Sequence, residues 1–256
     1  MVLDSQTILA QRRETGTMTW RGPALMLFAR TGFAVAAQAF VAGIFFLRGS
    51  LTPWRDSEPW LPVYGTLIDA GCLAMLWRLT TREGIRLFDL LGFERTRLVR
   101  DVLYGLVLVP ASLVFIFGGT FAAGWLLYGA PSQPFGFAAL PLPAAVYGVF
   151  VFPVIWGLTE QLTYNGYLAP RFQVLSGSTM IAILIVGSVW ALQHAFMPLT
   201  FDTKFMAFRL FSSVPNTVFQ IALYLRFRRL VPFVIAHMLM DGASVFMSAL
   251  LPILSG

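Results

Sequence analysis

The chain has 256 residues, of which 57% are hydrophobic and only 12% charged, with a net charge of +6 and a mean hydropathy of +0.74. Soluble domains carry about 25% charged residues, so this composition excludes a large globular core and indicates a polytopic membrane protein. The one cysteine, Cys72, excludes an intrachain disulfide framework and a multi-cysteine metal site. Because the basic residues cluster in short loops, the positive charge reads as membrane topology and not as affinity for nucleic acid.

Met1 to Trp20 is polar and has no apolar core of signal-peptide length, so no cleaved signal is expected. Ala24–Leu47 reads as a first span, long enough to cross a hydrocarbon layer that takes about 20 residues. Arg30, near its start, is expected to snorkel to the interface. Leu61–Leu79 is the second span, and Asp69 within it has no partner that the sequence names. Thr81–Asp101 mixes Ile85, Leu87, Phe88, Leu90, Leu91 and Phe93 with five arginines and reads as an amphipathic segment on the inner face. Val102–Leu127 is the third span. Tyr128–Pro143, rich in proline and glycine and free of charge, reads as an outer loop.

A fourth span begins near Leu142, and Thr179–Leu199, Phe208–Leu225 and Leu230–Leu251 bring the count to seven, with an eighth element left open. Placing the N-terminus in the cytoplasm puts 13 basic residues inside and four outside, with Arg30 in the first span. That asymmetry is the one the positive-inside rule favours. The expected architecture is an all-α, polytopic transmembrane helix bundle forming a single integral membrane domain, multi-pass, in the cell membrane.

Three titratable groups lie where hydrocarbon should surround them: Glu160 and the chain's two histidines, His194 and His237. An ionisable group at such depth costs at least ~2.5–3.5 kcal/mol and usually faces a cavity with a task. In Glu160-Gln161-Leu-Thr-Tyr164-Asn165, helical spacing puts Glu160 and Tyr164 on one face and Gln161 and Asn165 on the adjoining one. Gly157 and Gly166 flank them and permit close approach of a neighbouring helix. In Trp190-Ala-Leu-Gln193-His194, Trp190 is one turn from the histidine. In His237-Met-Leu-Met-Asp241, an aspartate one turn on can accept the imidazole N–H and orient it. Depth along straight helices does not match, however. From the inner loop Glu160 and His194 lie ~24 Å along their helices and His237 only ~12 Å.

In order and spacing these three motifs resemble those of the CAAX protease and bacteriocin-processing enzyme family of intramembrane peptidases: Glu-(Glu)-x-x-x-Arg, then aromatic-x-x-x-His, then His-x-x-x-Asn/Asp. The lead-in Ile235-Ala236-His237 is also similar, and the resemblance runs from about Val146 to Gly242, which would form the catalytic core (146–242). Two positions depart from the pattern. Gln161 stands where the family has a second glutamate, and Asn165 where it has an arginine. Losing both charges of a buried pair together is structurally compatible, whereas losing one would strand the other.

The resemblance implies hydrolysis of a peptide bond in a protein or peptide substrate reached from the membrane or the cytoplasmic side, with the lipid bilayer as surroundings and no nucleic acid as partner. Glu160 would act as general base on water, His194 would hold the water or protonate the leaving amine, and His237, oriented by Asp241, would stabilise the oxyanion. Gln161, Tyr164, Asn165, Trp190 and Gln193 would support them. The same Glu160, His194 and His237 could instead hold zinc with an open fourth position, so the cofactor is either none or one divalent metal. Two non-enzymatic readings stand beside this one. A silent relative acting as a scaffold is favoured by Gln161 and Asn165. A small proton-coupled transporter would use Glu160, Asp69 and the histidines as a relay, but paired halves with interrupted helices are not visible.

Overall fold

The computed structural model describes residues 5–131 and 137–255, and all of the regular structure among them is helical. Part of the expected outer loop Tyr128–Pro143 lies outside these residues. In chain order the helices are α1 (Ser5–Glu14), α2 (Arg21–Leu47), the short α3 (Pro53–Ser57), α4 (Leu61–Arg82) and α5 (Leu98–Tyr128). Then follow α6 (Leu142–Phe150), α7 (Phe152–Gln161), a π-helical segment (Leu162–Leu168), α8 (Ala169–Ser176), α9 (Thr179–His194) and α10 (Thr203–Phe227). The last rod is α11 (Val231–Val245), a second π segment (Phe246–Leu250) and α12 (Leu251–Ser255).

The punctuation is local chemistry. Proline stands in the first turn of α3, α4, α6, α7, α8 and α11, where its missing N–H costs no hydrogen bond. Gly129 and Gly177 end α5 and α8 at φ +69° and +68°, a left-handed conformation that favours glycine. The Asp202 carboxylate caps α10, accepting from the N–H groups of Lys204 at 2.9 Å and Phe205 at 3.1 Å.

Among the described residues, four helical rods are long and apolar enough to cross a membrane: Arg21–Leu47, Pro53–Arg82, Leu87–Tyr128 and Val231–Ser255. The pair Leu142–Phe150 and Phe152–Ser176, bent by 40°, makes a fifth if it is one span. Two of the expected spans fall outside this set. Helix α9 is apolar but has only 16 residues. Helix α10 is long, but Arg209, Ser212, Ser213, Asn216, Thr217 and Gln220 recur along it at helical spacing and line an internal cavity, which lowers its hydropathy.

The bundle places α10 against α9 and α5, α11 against α5 and α7, and α2 against α4. Polar clasps close both ends. At one end Arg171 is buried on the Glu83 carboxylate and lies 3.8 Å over the Tyr167 ring, and Arg229 forks onto Asp101 at 2.9 and 2.5 Å. At the other end Gln38 both donates to the Leu199 carbonyl (3.0 Å) and accepts from its N–H (2.8 Å), fixing the loop after α9.

Two expectations are corrected. Arg30 does not snorkel: it is fully buried, because Asp69 offers it a carboxylate at 2.6 Å inside the bundle. Asp69 therefore has a partner, on α2. The amphipathic segment Thr81–Asp101 contains two 3-10 turns, Leu87–Leu91 and Arg95–Arg97, with Ile85, Leu87 and Leu90 turned inward and Phe88 and Phe93 outward.

Helix α5 approaches α10 tightly at Gly119, where an added Cβ would meet the Ser212 carbonyl oxygen at 2.3 Å, whereas one on Gly118 would meet nothing within 4 Å. Gly119→Ala should therefore destabilise the bundle by about 1–3 kcal/mol through overpacking, and Gly118→Ala should be neutral or stabilising by up to ~1 kcal/mol. Thermal unfolding in detergent checks the contrast.

Candidate active site

Glu160 sits at the last turn of α7, two residues before the chain departs from regular α geometry into the π segment Leu162–Leu168. Such segments insert an extra residue into a turn and recur at functional sites. Straight helices could not have brought the three titratable groups to one level, but the chain is bent before α7 and re-registered after it. Glu160, Trp190, His194, His237 and Asp241 all line one cavity of about 440 Å³, between α5, α7, α9, α10 and α11. Gly157 makes the approach of α11 possible: a Cβ there would lie 3.2 Å from the Met238 N and 3.4 Å from the His237 Cβ.

Each oxygen of the buried Glu160 carboxylate has its own partners. Oε2 lies 3.1 Å from His237 Nε2. Oε1 accepts from the Gln193 amide and lies 3.5 Å from Arg30 Nε. Gln193 is itself held by the Tyr164 hydroxyl, which donates to its Oε1 at 2.8 Å. Tyr164 stacks on Trp190 with ring centres 5.0 Å apart and planes within 7°. The shared face of Glu160 and Tyr164 is thus real, and Gln193 is the piece that joins them.

The two histidines present opposite faces. His194 Nδ1 is 3.0 Å from the Trp190 carbonyl oxygen. A carbonyl can only accept, so Nδ1 carries the proton and the Nε2 lone pair of the neutral ring is free. His237 Nε2 faces two carboxylates, Glu160 at 3.1 Å and Asp241 Oδ2 at 3.3 Å, so that nitrogen is the protonated one. The Gln161 amide Nε2, 3.0 Å away, donates to its Nδ1. One ring offers a lone pair and the other an N–H, the complement needed to hold a water and to stabilise an oxyanion.

Gln161 and Asn165 meet as their spacing requires. Asn165 Nδ2 donates to Gln161 Oε1 at 2.5 Å, and Gln161 Nε2 also donates to Gln220 Oε1 at 2.9 Å. Two amides at the departing positions have become a neutral network that grips His237 from behind. Sequence spacing did not reach Arg30, Asp69 or Gln220, since each joins the site from another helix.

Among the described residues no group of three His, Cys, Asp or Glu side chains is disposed to hold an ion. Glu160 Oε2 and Asp241 Oδ2 both lie against His237 Nε2, so His237 turns an N–H where a ligand needs a lone pair.

The Gln161 network yields a prediction. Gln161→Leu leaves Asn165, Gln220 and the His237 Nδ1 without their partner, and each unsatisfied buried group costs about 1–3 kcal/mol. The variant should lose several kcal/mol of stability, and Asn165→Leu, which breaks one of these bonds, should lose less. Denaturation in mixed micelles ranks the two.

Comparison with known proteins bears on the same residues. No curated protein and no solved structure matches the chain. Residues 142–243, however, match the family model described as type II CAAX prenyl endopeptidase Rce1-like. The matched segment contains Glu160, His194, His237 and Asp241, and it leaves out Arg30 and Asp69. The segment that builds most of this cavity is thus similar to the Rce1-like model, in line with the CAAX protease and bacteriocin-processing family that its motifs resemble.

Proposed function

We propose that the chain is an intramembrane peptidase that hydrolyses a peptide bond of a membrane-associated protein or peptide through glutamate-activated water. The observation that carries this reading is the convergence of a carboxylate, a lone-pair histidine and an N–H histidine on one cavity inside an apolar bundle. In this mechanism Glu160 takes a proton from water and the resulting hydroxide attacks the carbonyl carbon. The His194 Nε2 lone pair fixes that water. The His237 N–H, with Asp241 beside it, donates to the developing oxyanion. The tetrahedral intermediate then expels the amine as the C–N bond breaks, and the proton taken by Glu160 passes to that nitrogen. No metal is used in this scheme.

The polar row Arg209, Ser212, Ser213, Asn216, Thr217 and Gln220 on α10 supports a peptide substrate, because it offers donors and acceptors to a backbone along one wall of the cavity. The seven-span topology with a cytoplasmic N-terminus belongs to the same proposal. It assigns α9 and α10 as spans whose polar faces are covered by the bundle, and it opens the site to substrate from the membrane or the cytoplasmic side. The cell membrane is the proposed location. A silent, scaffolding relative is the second reading, favoured by the neutral amides at Gln161 and Asn165.

On the enzymatic reading, Glu160→Gln should reduce peptide hydrolysis by at least ~100-fold, the lower end of what a general base contributes, while the purified protein keeps its melting temperature within a few degrees. Full activity in that variant removes Glu160 from the mechanism. Asp241→Asn should cost less activity than His237→Ala, because it keeps the ring that donates to the oxyanion and alters only a neighbour 3.3 Å from its Nε2. Steady-state rates for the two variants and the parent, with and without a chelator, check both statements. The chelator should leave the parent rate unchanged.

A further inference from the structure

The matched segment is not the whole site. Arg30 comes from α2, more than a hundred residues before it in sequence, and its guanidinium is entirely buried between two acids. Nη1 donates to Asp69 Oδ1 at 2.6 Å, Nε lies 3.5 Å from Glu160 Oε1, and Cζ stands 4.2 Å over the ring of Trp156, one turn before Glu160. Arg30 does not line the cavity.

From this geometry we propose that Arg30, held by Asp69, is the positioning residue of the hydrolytic carboxylate: it keeps Glu160 ionised and its Oε1 turned inward, so that Oε2 alone serves the cavity. Three features of the packing support this assignment. The Oε1 side of Glu160 is taken by Arg30 and Gln193, and the Oε2 side by His237, so the plane of the carboxylate is fixed from both ends. Asp69 sets the guanidinium by a short charge-assisted bond, and Trp156 covers its face, so the cation has no freedom to leave. Finally, this cation reaches the carboxylate from outside the matched segment, so the site is completed by a helix that the segment does not contain.

The proposal rests on the hydrolytic reading for its consequence, but the state of Glu160 can be read without any substrate. Dicyclohexylcarbodiimide couples to a carboxyl group in its neutral form, and peptide mass spectrometry locates the adduct. In the parent protein at neutral pH, Glu160 should resist the reagent. In Arg30→Met/Asp69→Leu, which removes both charges of the pair and strands neither, Glu160 should label at least about tenfold faster. Arg30→Gln, which can still donate to Asp69, serves if the double variant does not fold, and it should label faster for the same reason. Arg30→Lys should stay near the parent.

Equal labelling in parent and charge-removed variants overturns the proposal. Where a cleavable peptide is found, the loss in these variants should fall on kcat and leave KM unchanged, because Arg30 does not touch the cavity; a rise in KM alone would contradict the role. A parent without hydrolysis but with the labelling contrast would sink the peptidase reading and leave the Arg30 assignment standing. Hydrolysis with no labelling contrast would do the reverse.

Discussion

The structure depends on keeping one carboxylate in the middle of an apolar bundle. Glu160 has almost no exposure, and a bare charge there would cost more than the bundle could offset. It is tolerated because both of its oxygens meet groups that favour a carboxylate: an arginine and a glutamine amide on one, a histidine on the other. Those partners come from α2, α9 and α11. The need to satisfy Glu160 is therefore also a constraint on how these helices assemble around α7.

The supporting groups are themselves held. Asp69 grips Arg30, Tyr164 grips Gln193, and Gln161 with Asn165 and Gln220 grips His237. Gln38 ties down the loop that follows His194. Such networks hold their members in place, because a group that moves leaves a buried polar partner unsatisfied. The cavity they surround stays open while its walls remain fixed, the condition under which oriented dipoles act on a reacting centre without reorganising.

Much of this was legible from helical spacing. The pairs Glu160 with Tyr164, Gln161 with Asn165, and His237 with Asp241 lie four residues apart, and a regular helix leaves little choice about which side chains face together. The four polar groups facing the cavity from α7, α9 and α11 were legible for a different reason, because ionisable residues inside apolar runs are rare enough to point to one another. Arg30 and Asp69 were misread separately, one as an interfacial cation and the other as unpartnered. Local rules treat each residue within its own span, and their bond joins positions 39 apart on two helices. The π segment after Gln161 was not legible either: nothing in Leu162–Leu168 marks a change of turn size, and only packing against α9, α10 and α2 reveals it. Helix α10 shows the opposite failure of a hydropathy rule, for the side chains that lower its apolar score are those that build the cavity wall.

The central claim is that this cavity breaks a peptide bond with water. The direct measurement is incubation of the detergent-purified parent protein with a library of membrane-compatible peptides in ¹⁸O-labelled water, followed by mass spectrometry of the products. The account predicts new C-terminal carboxylates carrying one ¹⁸O atom, with cleavage concentrated in a defined subset of sequences. Intact peptides throughout, under conditions where the protein stays folded, would contradict it and leave the cavity to a scaffold.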